Sequence, residues 1–237
     1  MPLTTPASAS LPDFDAVIFD MDGLLLDSET LALDAMKDAA EALGLDMPVA
    51  LRRQMIGVPA DVCRSLVAAH YGSTEPVEPL FAGATQLLEA AVAAGRLQRK
   101  PGVGAVLDQL DRLGLPRAVA TSSGHRRAHH HLDVAGLLPR LDAVLTRDDV
   151  ARGKPHPDLY LAAARHLGVA PHRCLAFEDS YNGVRAAVAA GMPVVMVPDL
   201  LPATAEMQAA AVMVIGSLRE ILPCLAERSR AGGAAAA

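Results

Sequence analysis

The chain predicts an α/β fold: a parallel sheet covered by helices on both faces, with a helical insert near its start. Two features predict it. Short, continuously apolar runs recur between amphipathic stretches, and one long segment, 31–98, has helical periodicity but no convincing strand. The 237 residues, 51% hydrophobic and 20% charged, suffice for one large domain or one domain carrying a smaller insert, and they exclude disorder for the bulk of the chain.

The first strand is 15–20, where Ala16, Val17, Ile18 and Phe19 form an apolar run bounded by Asp15 and Asp20. Later runs end in polar residues in the same way. Ala118-Val119-Ala120 stops at Thr121, Ala143-Val144-Leu145 at Thr146, and 174–177 at Glu178-Asp179. Val194-Val195-Met196-Val197 stops at Pro198, and 212–215 reads as an edge strand. Helices lie between: 103–113, apolar at 103, 106, 107, 110 and 113; 159–167; and 184–190. In the insert, 32–43, 62–69 and 84–94 have helical spacing, with Pro76 and Pro79 marking a break between the last two. We therefore expect a core of 12–30 and 99–225, a helical cap of 31–98, and flexible tails at 1–11 and 226–237. Hinges are expected at 28–33 and 95–101.

Composition narrows the function. With 21 basic against 27 acidic residues, net −6, the chain lacks the charge of a generic nucleic-acid surface. No apolar run approaches the length of a membrane helix, and 1–12 lacks the pattern of a signal peptide. Three scattered cysteines, Cys63, Cys174 and Cys224, suit reduced thiols in a cytoplasmic protein rather than a disulfide framework or a zinc site.

In a parallel sheet the ligand crevice lies at the carboxyl ends of the strands. Asp20, Thr121 and Glu178-Asp179 each occupy such an end. Asp22 follows Asp20 by two residues, and Gly23 permits the turn that brings both carboxylates to one crevice. An Asx turn at a polar strand end is the alternative. Leu24 excludes a calcium-loop reading, because a third oxygen ligand belongs there. Asp20, Asp22, Glu178 and Asp179 on one rim repel one another. A hard divalent cation, magnesium by default, together with one lysine would compensate them. The lysine is Lys154, in the proline-stiffened segment Gly153-Lys154-Pro155-His156-Pro157-Asp158. Thr121, Ser122 and Ser123, before a helix, offer hydroxyls and free backbone N–H groups for a phosphate, or else cap that helix. A carboxylate nucleophile, a second acid, magnesium, a lysine and a hydroxyl cradle are what phosphoryl transfer to an aspartate requires. Each such preorganised contact is worth roughly 3–4 kcal/mol in the transition state.

These motifs, in this order, resemble those of the haloacid-dehalogenase-like hydrolase superfamily, in its β-phosphoglucomutase/phosphoglycolate-phosphatase branch. They are Asp20-Met21-Asp22-Gly23-Leu24-Leu25-Leu26-Asp27-Ser28, Thr121-Ser122, Lys154 with its prolines, and Glu178-Asp179-Ser180 with Gly183. The resemblance covers nearly all of 14–200 and implies a Rossmann-like core with an inserted cap at 31–98. It implies Asp20 as nucleophile and Asp22 as acid and then base. Magnesium would be held by Asp20, the Asp22 backbone carbonyl, Asp179 and Glu178, the last directly or through water. Thr121 and the Ser122 backbone would hold the phosphate, and Lys154 would bridge it to Asp20. Dehalogenases of the family lack the second acid, which Asp22 supplies here. The branch's sugar phosphomutases carry a histidine where this chain has Ala32, so hydrolysis of a small phosphomonoester, a sugar phosphate or related metabolite, is expected. A sugar phosphomutase and a catalytically silent binding protein are the alternatives, and the chain is expected to act as a monomer or dimer.

The remaining signals are weaker. His125, Arg126 and Arg127 follow the Thr121 loop and could meet the substrate's far end. Arg52, Arg53 and the loop 56–59 lie in the cap, where the branch places specificity. His129-His130-His131 point about 100° apart on a helix and read as a solvated face.

Overall fold

The computed structural model describes residues 11–56, 58 and 60–235. Six parallel strands form one sheet: β1 (Ala16–Phe19), β2 (Arg117–Ala120), β3 (Ala143–Leu145), β4 (Cys174–Glu178), β5 (Val194–Met196) and β6 (Met213–Val214). Their order is β3-β2-β1-β4-β5-β6, so the chain leaves β1 for one side of the sheet and later crosses to the other. That reversal opens a crevice at the carboxyl ends of β1, β2 and β4. Phe19 lies opposite Val119 on one side and Phe177 on the other, which sets Asp20 level with Glu178 and Thr121 one residue beyond.

Alternate residues of β1 serve opposite faces. Val17 and Phe19 join one apolar cluster, with Phe19 stacked on Phe177 at 5.3 Å. That cluster includes Val106 and Leu110 of α5 (Val103–Leu113), Leu132 of α6 (His125–Val134) and Leu225 of α10 (Leu222–Ala235). Ala16 and Ile18 join the other, under Tyr160 of α7 (Asp158–Leu167), Val184 of α8 (Tyr181–Ala189) and Met207 of α9 (Ala205–Ala210). Coverage on both faces is why these strands are continuously apolar.

Between β1 and α5 the chain forms α1 (Ser28–Ala42), α2 (Val49–Gln54), α3 (Ala60–Tyr71) and α4 (Val77–Ala93). A third apolar cluster, including Met36, Leu51, Val67 and Leu80, holds these helices together. Leu31 and Ala35 of α1 and Leu88 and Val92 of α4 belong instead to the first sheet cluster. The two chain passages linking the helices to the sheet run side by side. Asp27 N–H donates to Gln98 C=O at 2.9 Å, and Lys100 N–H to Leu25 C=O at 2.9 Å.

Four expectations need correction. Pro79 does not break the chain; it sits in the first turn of α4, where its missing N–H costs no intrahelical bond, so the helix begins at Val77. The expected hinge at 28–33 is helical, within α1. The stretch from Ala226, expected to fray, continues α10 to Ala235, because Leu225 anchors that helix in the core at 1% exposure. His131 is not solvated: with Ala128 and Leu132 it forms the inward stripe of α6. Of the expected amino-terminal tail, 1–10 lie outside the described residues, and Leu11 packs against the core. Among the described residues no helix is long and apolar enough to cross a membrane.

Candidate active site

After β1 the chain curls back on itself. Leu25 and Leu26 N–H groups both donate to Met21 C=O at 3.0 Å, and Gly23 N–H donates to Leu26 C=O at 2.8 Å. Met21, Leu24, Leu25 and Leu26 are buried, so the turn is anchored by carbon while Asp20 and Asp22 border the cleft. Gly23 has φ +86°, and a Cβ there would lie 2.4 Å from Asp179 Oδ2. No side chain fits between the first motif and the last.

Asp20, Glu178 and Asp179 are buried, and each offers an oxygen within 4.8 Å of the others. Lys154, only 8% exposed, donates from Nζ to Asp20 Oδ1 and, at 2.5 Å, to Glu178 Oε1. Glu178 Oε1 also accepts from the Tyr160 hydroxyl at 2.8 Å. Its Oε2 accepts from the Asp179 and Ser180 backbone N–H groups at 3.0 and 3.1 Å and from the Ser180 hydroxyl at 3.0 Å. Both Glu178 oxygens are thus oriented by protein donors.

Burial is the main force on these groups. It pushes the Asp20 carboxyl well above the usual range, Glu178 and Asp22 add repulsion, and Lys154 only partly offsets this. Asp179 is raised by burial, Asp20 and Glu178. Lys154 is raised despite burial, because two carboxylates flank it. Three buried carboxylates against one ammonium leave an excess of negative charge, made of oxygen atoms alone. The donor set fits a hard divalent cation held by Asp20, Asp179 and Glu178.

Asp22 is arranged differently. Its side chain is not in that cluster. Oδ1 accepts from the Ser28 hydroxyl at 2.5 Å, and Oδ2 from the Ser123 hydroxyl at 2.7 Å and the Thr121 hydroxyl at 3.3 Å. Arg127 Nη2 lies 3.5 Å from Oδ1. Burial opposes its charge, but Arg127 and the two serine hydroxyls outweigh burial and hold Asp22 below the usual carboxylate range. The fourth carboxylate therefore has its own cation, which the sequence did not single out for this role. Thr121 is fully buried and accepts from Ser123 N–H at 3.0 Å, while Ser122 is exposed at the cleft mouth.

The cleft is about 720 Å³, with Asp20, Asp22, Asp179, Lys154, Ser122 and Ser123 on its sheet side and residues of α1, α3 and α4 opposite, Ala32 among them. Arg52 and His125 are not among the residues lining it. His125 is exposed, its ring tilted 34° against that of His129 at 4.1 Å between centroids, while its backbone N–H donates to Asp148. Four further residues belong to the site. Tyr160 steadies Glu178, Arg127 meets Asp22, and Glu29 and Asp199 form a second acidic group with Asp179. Asp199 pairs with Lys100 at 2.5 Å. It follows β5 at the carboxyl end, so the rule that found Asp20 and Glu178 would have found it.

Residues 14–191 match the haloacid dehalogenase-like hydrolase family. The chain belongs to that family. It is 34% identical over 212 residues to the probable pseudouridine-5′-phosphatase of Drosophila melanogaster, covering 87% of this chain and 90% of that one. It is 33% identical over 178 residues to the phosphorylated carbohydrates phosphatase of Thermotoga maritima, covering 75% and 82%. Some other relatives are matched over about half of their own length. Among solved structures, CbbY from Rhodobacter sphaeroides in complex with phosphate superimposes with a TM-score of 0.75 at 28% identity, over 90% of this chain and 99% of that one. The haloacid dehalogenase-like assignment accounts for the order of the four motifs along the chain and for their meeting at one sheet edge.

Proposed function

We propose that the protein is a magnesium-dependent phosphatase of small phosphomonoesters, sugar phosphates or related metabolites, working through a phosphorylated Asp20. The observation that carries this is the buried cluster of Asp20, Glu178 and Asp179 with Lys154 bonded to two of its members, at the floor of a large cleft. The phosphatase names of two long-matched relatives support it.

Asp20 attacks phosphorus, and the bond from phosphorus to the alcohol oxygen breaks as Asp22 delivers a proton to that oxygen. The incoming phosphate, a negative charge beside Asp22, raises the proton affinity that Arg127 and the hydroxyls otherwise hold down. Water then attacks phosphorus, Asp22 takes its proton, and the bond from phosphorus to Asp20 breaks, releasing phosphate. Lys154 orients Asp20 and offsets charge on the phosphoryl oxygens, and Ser122 and its backbone, lining the same cleft, hold the phosphate against Asp20. Magnesium, when bound to Asp20, Asp179 and Glu178, supplies a dication that neutralises phosphoryl charge. We read 12–30 and 99–225 as the catalytic core and 31–98 as a cap that closes over the cleft and excludes water, pivoting at the paired passages 25–27 and 98–100.

Asp20→Asn tests the reading. The variant should fold, yet release phosphate from a panel of phosphorylated metabolites at least about 10³-fold more slowly. Retained turnover would contradict the assignment. Conversion of a sugar 1-phosphate to its 6-phosphate without free phosphate would favour a mutase, against the methyl group that Ala32 presents to the cleft.

A further inference from the structure

The wall opposite the carboxylates is built of carbon: Leu33, Met36, Ile56, Val58 and Phe81 face the cleft. Among the described residues Leu33, Ile56 and Val58 belong to none of the three apolar clusters, so their surface packs into no core of the protein. Several polar groups on this wall are turned inward or already partnered. The Thr85 hydroxyl donates to Phe81 C=O at 2.8 Å, and the Cys63 thiol faces Met55 C=O and Val58 C=O at 3.6 and 3.5 Å. Arg64 Nε donates to Glu78 at 2.9 Å, and its guanidinium lies 4.7 Å over the Phe81 ring. Asp61 remains on this wall, and a carboxylate accepts hydrogen bonds while repelling anions, whereas Glu29 at the start of α1 lies beside Asp179.

A bare polyol phosphate needs donors and acceptors for each hydroxyl, and leaving one buried and unmet costs about 1–3 kcal/mol. On this wall a second phosphate would meet the Asp61 carboxylate and an arginine paired with Glu78, while the cleft's other arginines, Arg127 and Arg147, belong to the core side and are engaged with Asp22 and Val150 C=O. An apolar ring edged with N–H or O–H donors matches the wall on both counts, and the cleft of about 720 Å³ has room for it beyond the sugar. We propose, resting on the phosphatase reading above, that the preferred leaving group is a nucleoside: a 5-phosphorylated pentose carrying a heterocycle, rather than a bare or doubly phosphorylated sugar.

The test compares esters that break the same bond. With the full chain and magnesium, kcat/KM for phosphate release is measured on ribose 5-phosphate, uridine 5′-phosphate, adenosine 5′-phosphate and fructose 1,6-bisphosphate. At least one nucleotide should exceed ribose 5-phosphate by about tenfold or more, and the bisphosphate should not. Phe81→Ala should cut that ratio by about tenfold, and so should Leu33→Gln, which removes no core contact. Equal or better use of ribose 5-phosphate, a preference for the bisphosphate, or a ratio unmoved by both variants overturns the proposal. Release from none of these or from any other phosphomonoester would overturn the phosphatase reading itself, and this proposal with it.

Discussion

Gly183 lies in the first turn of α8, and a Cβ there would sit 1.8 Å from the Glu178 carboxyl carbon. The helix start is packed directly on the carboxylate that Lys154 and Tyr160 hold, and only hydrogen fits between them. Gly183→Ala should therefore push Glu178 off its partners, costing about 1–3 kcal/mol by overpacking and most of the activity; urea unfolding and phosphate release measure the two. His131 gives a second residue-scale prediction. Burial, aided by the Arg127 charge, lowers its imidazole to about 4. The folded state then binds that proton only near pH 4, whereas the unfolded chain binds it near pH 6.5. His131 stabilises fully above pH 6.5, and this contribution, up to about 3 kcal/mol, is lost as pH falls toward 4. His131→Gln should flatten the acid limb of unfolding free energy between pH 6.5 and 4.5; an unchanged limb would sink this account.

Among the elements, α10 decides whether the carboxyl-terminal stretch is a tail or part of the core. Leu225 is 1% exposed, Gln109 of α5 reaches its carbonyl, and Arg228 donates to Phe14 C=O while lying 4.4 Å over the Phe14 ring. The helix thus clamps the residue that leads into β1. Leu225→Ala should cost about 2–4 kcal/mol in urea unfolding, and Arg228→Ala, within the stretch expected to fray, about 1 kcal/mol, whereas a frayed Arg228 would cost nothing measurable. The sequence hid this because α10 has few large apolar residues: one buried leucine in an alanine- and glycine-rich run carries no periodicity to read. α2 escaped for a related reason, having six residues with only Leu51 buried.

The whole molecule concentrates unpaired charge at one place. Asp20 and Asp179 are both pushed up by burial and by the neighbouring Glu178 charge, so the cation-free protein is stressed at its own active site. Two outcomes follow from this one imbalance. Saturating magnesium should raise Tm, by about 2.7 kcal/mol of stability at a hundredfold excess over Kd. Asp179→Asn should raise Tm without magnesium, by removing a buried charge, and abolish most of the magnesium increment. Scanning calorimetry of both proteins, with and without chelator, reads the four combinations; a wild-type Tm indifferent to magnesium would refute the cation site.

The sequence by itself determined the sheet, because strands covered on both faces must be apolar throughout and must end where polar residues begin. The ends at Asp20, Thr121 and Glu178 could be read directly, and topology alone carried them to one rim. Only the tertiary structure decided how the charges on that rim are shared. Lys154 serves Asp20 and Glu178, Arg127 serves Asp22, and Tyr160 and Lys100 complete the set from other elements. The same division explains His131 and Arg52. Helical spacing shows that a stripe exists but not which neighbour covers it, and the lining of a cleft between elements distant in sequence leaves no local pattern in the chain.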